Sequence, residues 1–139
     1  MGDRANIAIR QSDDTRVYLY THWGGHDLPF VLRKALSKRM RWNDPAYLAR
    51  IIFCQLVNGH EEQETGFGIS TMICDNDCYP ILLVDSENQT IQLLKYSWKD
   101  ESGNLGHYIG ESLFDVSIEN FITDNGIFSD ALKIYRGRT

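Results

Sequence analysis

The stretch RVYLYTHWGGHDLP, Arg16–Pro29, marks the point at which the chain changes from strand to helix. Apolar and aromatic side chains alternate through Arg16–Thr21, a pattern that is typical of a half-buried strand. Two adjacent glycines then break the strand. Asp27 is expected to cap a helix that runs from about Leu28 to Met40, and Pro29 is tolerated in its first turn.

The residues before this stretch predict a partner strand. Ala5–Arg10 alternates loosely between apolar and other side chains, and Ser12–Thr15 is a polar turn cluster. We therefore expect Ala5–Arg10 and Arg16–Thr21 to form an antiparallel hairpin.

A second helix is predicted from Pro45 to about Asn58. Asp44 and Pro45 are typical of a helix start, and Gly59 follows its end. Apolar residues occupy most of its circumference, which indicates the buried central helix. Cys54 lies within this pattern and is expected to be a small buried side chain.

The second half of the chain is rich in strand signals. We predict strands at Phe67–Ile73, Tyr79–Asp85 and Thr90–Trp98, with a turn at Asp75–Asp77 between the first two. Leu105–Ile109 and Ser112–Ile118 are candidates for further short strands, and a short final helix is predicted from Ser129 through Tyr135. The order ββααββββ(α) predicts an α+β fold with a mainly antiparallel sheet and two consecutive helices on one face. Strict β-α-β alternation is absent, and residues 1–139 are expected to form one domain.

The composition of the chain argues against some classes of function. The chain has 139 residues, is 42% hydrophobic and carries a net charge of −5, which argues against general nucleic-acid binding. It lacks an apolar run long enough to span a bilayer and an apolar leader, so we expect a cytoplasmic protein with reduced cysteines and no membrane association.

The charge is unevenly distributed along the chain. Residues 1–50 carry nine Lys or Arg and five Asp or Glu, whereas residues 51–139 carry five and fourteen. Such asymmetry would favour self-association into a homo-oligomer if the halves occupied different faces, and it would cancel if they intermixed.

Two clusters have the residue types of metal ligands. His22, His26 and Asp27 offer two imidazoles and a carboxylate, but the intervening glycines break the helical spacing that would align them. Cys74 and Cys78 form a single C-x3-C pair, whereas structural zinc takes four ligands. Strand and turn geometry explains both clusters better, so we expect neither a metal nor another cofactor.

A basic segment follows the glycine turn. Five of the fourteen cations fall within nine residues, and on a helix Lys34, Lys38 and Arg41 would share one sector. This patch could bind an anionic group, or it could pair with the acidic second half of the chain.

Three segments resemble an uncharacterised family of small bacterial and phage proteins. They are the start Gly2–Ile7 (GDRANI), the run Val17–Gly25 (VYLYTHWGG), and Trp42–Pro45 with Tyr47–Arg50 (WNDP and YLAR). The likeness extends over most of the chain. It implies a bacterial or phage setting and a single compact domain, and it assigns no activity and no catalytic residues.

The leading hypothesis is a non-enzymatic binding protein, because the chain lacks a Gly-x-Ser-x-Gly elbow and a P-loop. Its ligand would be a nucleotide-like anion or an acidic protein surface. Free backbone amides, an aromatic ring and nearby positive charge carry this hypothesis, whereas an Asp27 cap opposes it. The predicted binding residues are His22, Trp23, Gly24, Gly25, His26, Arg33, Lys34, Lys38 and Arg41. The alternatives are a metal-assisted hydrolase using His22, His26 and Asp27, or an acidic inhibitor that mimics nucleic acid.

Overall fold

The computed structural model describes residues 2–137 and shows one six-stranded sheet in the order β3-β2-β1-β4-β5-β6. The strands are β1 (Ala5–Arg10), β2 (Arg16–Thr21), β3 (Phe67–Ser70), β4 (Ile81–Asp85), β5 (Thr90–Lys99) and β6 (Leu105–Ser117). The helices are α1 (Leu28–Leu36), α2 (Pro45–Leu56), α3 (Ile118–Thr123) and α4 (Asn125–Gly137), and a 3₁₀ turn at Gly25–Asp27 precedes α1.

The predicted α+β class is confirmed. β1 and β2 form the expected antiparallel hairpin, with Ile7 opposite Leu19. The pairs β2–β3, β4–β5 and β5–β6 are antiparallel as well. Among the six described strands, β1 and β4 are the parallel pair, with Ile7 opposite Leu82. β3 lies at the edge of the sheet beside β2, so the chain crosses back to the middle of the sheet before β4.

The core lies between one face of the sheet and the four helices. Ile7 and Ile9 of β1 are fully buried against α1 and α2, where Leu32 and Ile52 are also fully buried. Each such side chain contributes about 1.5–3 kcal/mol through the apolar area removed from water. α3 and α4 join the same core through Phe121, Phe128 and Tyr135, so the helical layer is larger than the two consecutive helices that the sequence predicts.

A crossover, residues 71–80, takes the place of the predicted hairpin turn at Asp75–Asp77. This segment crosses the sheet face opposite the helices. Ala5 and Ile7 belong to the helix-side core, so Asn6 between them points to the other face. There its Nδ2 donates to Asn76 Oδ1 at 3.1 Å. Asn76 is buried, and its own Nδ2 donates to the carbonyl of Tyr79 at 3.0 Å. Asn and Asp therefore serve here to satisfy an irregular segment rather than to turn a hairpin.

The first helix is shorter than predicted. α1 ends at Leu36 rather than at Met40, and Arg39 and Arg41 have positive φ angles of 56° and 59°. The Trp42 indole donates to the carbonyl of Leu36 at 3.1 Å, which satisfies a carbonyl that continued helix would have bonded. The predicted helical sector of Lys34, Lys38 and Arg41 therefore does not form.

The second helix is amphipathic rather than central. Asp44 caps it as predicted, accepting from the amide of Tyr47 at 3.2 Å. Its inner face buries Leu48, Ile52 and other apolar residues, but Tyr47 and Cys54 are exposed, so the prediction of a buried Cys54 is wrong.

The last third of the chain is more regular than its sequence suggests. β6 is one continuous strand of 13 residues whose pairing with β5 shifts register in three places, where two short strands were predicted. α4 begins at Asn125 rather than at Ser129, and Asp124 accepts from the amide of Ile127 at 3.0 Å at its first turn. None of the helices within residues 2–137 has both the length and the apolar character needed to cross a membrane.

The two unequally charged halves intermix in the fold. Arg4 pairs with Asp77 at 3.2 Å, and Arg39 pairs with Glu119 at 2.7 Å. Arg10 bridges to Asp85 and Glu87 in the same way. These contacts favour the interpretation in which the charge asymmetry along the chain cancels locally.

Candidate functional site

A cleft of about 480 Å³ opens beside the strand-to-helix turn. We call it the tryptophan cleft. Its lining residues come from the end of β2, the turn, α1, the end of α2 and the loop that leads to β3: Thr21, Trp23, Gly24, Asp27, Val31, Leu56, His60, Gln63 and Phe67. Its volume lies within the range of about 300–1,000 Å³ that is usual for small-molecule sites.

One wall of the cleft is built by the loop between α2 and β3. The His60 amide donates to the carbonyl of Val57 at 2.7 Å, which folds the loop back over the end of α2. The His60 ring stacks on Phe67 with 6.0 Å between ring centroids, and its Nδ1 is hydrogen-bonded to Gln63 Nε2 at 2.8 Å. This wall therefore carries the rings of His60 and Phe67 and the side-chain amide of Gln63.

Trp23 also lines the cleft, and 54% of its surface is exposed. Its ring lies directly against Gly66, where an added β-carbon would come within 2.6 Å of Trp23 Cζ3, and it contacts the His22 ring edge-to-face at 4.9 Å. The indole is thus held in place by backbone and by a neighbouring ring rather than by burial.

A second hollow of about 440 Å³ adjoins the tryptophan cleft and is lined by Tyr20, His22, Trp23, Thr65, Gly66 and Phe67. The Tyr20 hydroxyl is hydrogen-bonded to His22 Nδ1 at 2.7 Å. Burial, followed by the charge of Asp75, raises the pKa of Tyr20 above its ordinary value. Trp23 and Phe67 line both spaces.

The glycine turn itself is anchored from the N-terminus of the chain. A β-carbon on Gly25 would lie 2.6 Å from the carbonyl oxygen of Asp3 and 2.8 Å from Tyr79, so only glycine fits there. The Asp3 carboxylate accepts from the His26 amide at 2.8 Å and from the Tyr79 hydroxyl at 2.6 Å. Tyr135 donates to the Gly25 carbonyl at 2.8 Å.

The predicted capping role of Asp27 is wrong. Its side chain makes no capping hydrogen bond and instead pairs with Arg136 at 3.1 Å, while Asp3 supplies the carboxylate at this turn. Sequence reasoning missed Asp3 because it lies 23 positions before His26 and no local pattern connects them.

The proposed metal ligands are not brought together. His22 is bonded to Tyr20, Asp27 pairs with Arg136, and the exposed His26 uses only its backbone at the turn. Over residues 2–137, no group of three or more His, Cys, Asp or Glu side chains is arranged to hold a metal ion, and this includes the exposed Cys74 and Cys78.

The predicted cations lie away from the tryptophan cleft, since none of them is among its lining residues. Arg33 donates to Asn125 at 2.8 Å and lies over the Phe128 ring, and Arg41 lies over the Tyr47 ring at 4.6 Å. Lys34 and Lys38 are solvent-exposed.

Of the predicted binding residues, Trp23 and Gly24 line the tryptophan cleft and His22 lines the second hollow. Sequence reasoning missed His60, Gln63 and Phe67, because they follow about 40 positions later, in the loop after α2 and at the start of β3. Stacking surfaces and hydrogen-bonding groups suit this site to holding a ligand. Comparisons with protein-family models, with curated proteins and with solved structures find no match for this chain.

Proposed function

We propose that the protein is a non-enzymatic binding module that holds the aromatic or compact apolar group of a small organic molecule in the tryptophan cleft. The observation that carries this proposal is the position of Trp23, a half-exposed indole held against Gly66 in a cleft that Phe67 and His60 also line. An exposed ring of this size in a concave site is typical of a ligand-binding surface.

The cleft offers both affinity and orientation. Val31, Leu56 and Phe67 supply apolar contact area, which contributes about 25 cal/mol per Å² of ligand surface removed from water. Gln63 and Asp27 add polar groups at the same site. A few polar groups on a mainly apolar lining are the usual means of fixing the orientation of a small ligand.

The charge of the proposed ligand differs from the sequence-based hypothesis. That hypothesis relied on Arg33, Lys34, Lys38 and Arg41, and none of these lines the cleft. Asp27 is the charged side chain that does line it, so the geometry favours a ligand group that is uncharged or positive.

Titration by calorimetry and native mass spectrometry tests the proposal. The panel contains indole, adenosine, AMP and choline, and we expect at least one uncharged or cationic member to bind to the wild-type protein. Trp23→Ala should weaken that binding at least tenfold. Trp98→Ala is the matched control, because Trp98 is 51% exposed and lies on β5 outside the cleft.

Two outcomes would overturn the proposal. One is that no panel member binds, and the other is that Trp23→Ala and Trp98→Ala affect binding equally. The double variant Lys34→Glu/Lys38→Glu examines the anion hypothesis separately, since loss of binding in that variant alone would return the site to the basic segment.

A further inference from the structure

We infer that the ligand group held in the tryptophan cleft is an organic cation, namely an alkylated or quaternary ammonium. This inference rests on the proposed function and adds the chemical class of the ligand. Three ring-bearing side chains and one carboxylate converge on the cleft, and Lys and Arg are absent from its lining within the described chain.

Three of the residues that line the cleft carry rings. They are Trp23 and the stacked pair of His60 and Phe67. The face of an aromatic ring carries partial negative charge, so a cation close to the ring centre is attracted to it. Three rings in the lining of one cleft allow one ammonium group to contact more than one of them.

The charged side chain in the lining of the cleft also favours a cationic ligand. Asp27 contributes a carboxylate to the lining, and its ion pair with Arg136 engages Oδ1. Arg136 is directed toward α1, because its Nε donates to the carbonyl of His26 and its guanidinium lies over the Phe30 ring at 5.4 Å. Arg136 is not itself among the residues that line the cleft.

The loop between α2 and β3, which contributes to the lining of the cleft, adds negative charge. Glu61, Glu62 and Glu64 are exposed and adjoin the lining residues His60 and Gln63 in sequence. Glu61 is tied to the loop by accepting from the Gly59 amide. An exposed group of like charges beside a cleft raises the local concentration of counter-ions, which here are cations.

An ammonium also fits the charge of the site better than an anion does. Binding an anion would bring it toward Asp27 and the three glutamates, and the Arg136 guanidinium that pairs with Asp27 is already engaged by two acceptors. A neutral group would gain the apolar contacts alone. A quaternary ammonium gains the apolar contacts of its methyl groups together with the attraction of rings and carboxylate.

The test compares two ligands of the same shape. Choline and 3,3-dimethylbutan-1-ol differ in that a quaternary nitrogen replaces a quaternary carbon, so their affinities isolate the effect of charge. We expect choline to bind to the full chain at least tenfold more tightly than the alcohol in calorimetric titrations at low salt, and we expect the difference to shrink as salt is added.

A pair of variants locates the charge effect. Asp27→Asn keeps the shape of the side chain and should weaken choline binding several-fold without weakening alcohol binding. Arg136→Gln breaks the same ion pair but leaves the carboxylate, and it should keep or strengthen choline binding. Opposite effects from the two variants would exclude loss of the ion pair as the cause.

The outcomes separate this inference from the proposed function. If the alcohol binds as tightly as choline, or if neutral ring compounds bind and choline does not, the cation is overturned while the binding cleft stands. If neither of these ligands nor any panel compound binds, the proposed function fails as well. Choline binding that is unchanged in Trp23→Ala would place the cation elsewhere and overturn the inference.

Discussion

The Trp23 indole lies so close to Gly66 that a β-carbon at position 66 would come within 2.6 Å of Trp23 Cζ3. The φ angle of Gly66 is +105°, which side-chain-bearing residues rarely adopt. Gly66 is therefore required both by the backbone and by the ring. Gly66, at the end of the α2–β3 loop, therefore also sets the position of the exposed Trp23 ring in the tryptophan cleft.

Substituting Gly66 should disturb both stability and binding. We expect Gly66→Ala to lower the free energy of unfolding by about 2–4 kcal/mol, because backbone strain and overlap with the indole add. Gly103→Ala is the matched control, since Gly103 has a φ of +87° with nothing within 4 Å, and about 1–2 kcal/mol is expected there. Urea denaturation measures both. Equal losses would contradict the role of the ring contact.

The anchoring of the glycine turn by Asp3 gives a second prediction. The Asp3 carboxylate bonds both the Tyr79 hydroxyl and the His26 amide, and hydrogen bonds to a charged group contribute about 1.5–3 kcal/mol each. Asp3→Ala should therefore destabilise the protein by about 2–4 kcal/mol. In a double-mutant cycle with Tyr79→Phe we expect a coupling of about 1–2 kcal/mol, and additive losses would show that the two side chains act independently.

Local patterns predicted those parts of the fold that local forces determine. The alternation in Arg16–Thr21 correctly separates Leu19 and Tyr18 onto opposite faces of the sheet, and Asp44 correctly marks the start of α2. α1 ends earlier than predicted because the chain turns at Leu36, whose carbonyl accepts from the Arg39 amide and from the Trp42 indole. Such a turn depends on backbone angles and on a side chain beyond the helix, and neither leaves a periodic signal.

The lining of the tryptophan cleft also depends on contacts between distant parts of the chain. The predicted binding set includes Trp23 and Gly24, which line the cleft, but His60 and Phe67 join them only through the return of the chain into β3. The cations near Trp23 in sequence were included because they are adjacent in the chain. A cluster formed across the fold requires the strand order, which the sequence alone left open.

Acid stability should depend on Asp85. Burial raises the pKa of this carboxyl, but hydrogen bonds from Asn88 and the charge of Arg10 lower it by more, so its pKa lies below the ordinary value. A carboxyl with a depressed folded-state pKa stabilises the fold fully above its unfolded pKa of about 3.9, and this contribution is lost as the pH falls through the folded pKa.

The corresponding variants change the slope of stability against pH. We expect the free energy of unfolding of Asp85→Asn to fall less between neutral pH and about pH 3 than that of the wild type, because one proton fewer is taken up on unfolding. Asn88→Ala removes the side-chain donor to Asp85, 3.0 Å away, and should flatten the curve to a smaller extent. Parallel curves for wild type and Asp85→Asn would refute the assignment.

Alkaline titration tests the surroundings of the crossover segment. Burial, followed by the charges of Asp75, Cys78 and Asp77, raises the pKa of Tyr96 to about 12. Tyr96 is also hydrogen-bonded to His107 Nδ1 at 2.7 Å, which places its hydroxyl between β6 and the acidic crossover.

Ionisation of Tyr96 can be followed by tyrosinate absorbance near 295 nm within seconds of a jump to high pH, before the protein unfolds. Tyr96→Phe should remove a step at about pH 12 from the wild-type curve. Asp75→Asn should move that step to lower pH, because one negative charge that opposes ionisation is lost. A step that keeps its position in Asp75→Asn would mean that burial alone holds the proton, and a curve unchanged by Tyr96→Phe would assign the step to another tyrosine.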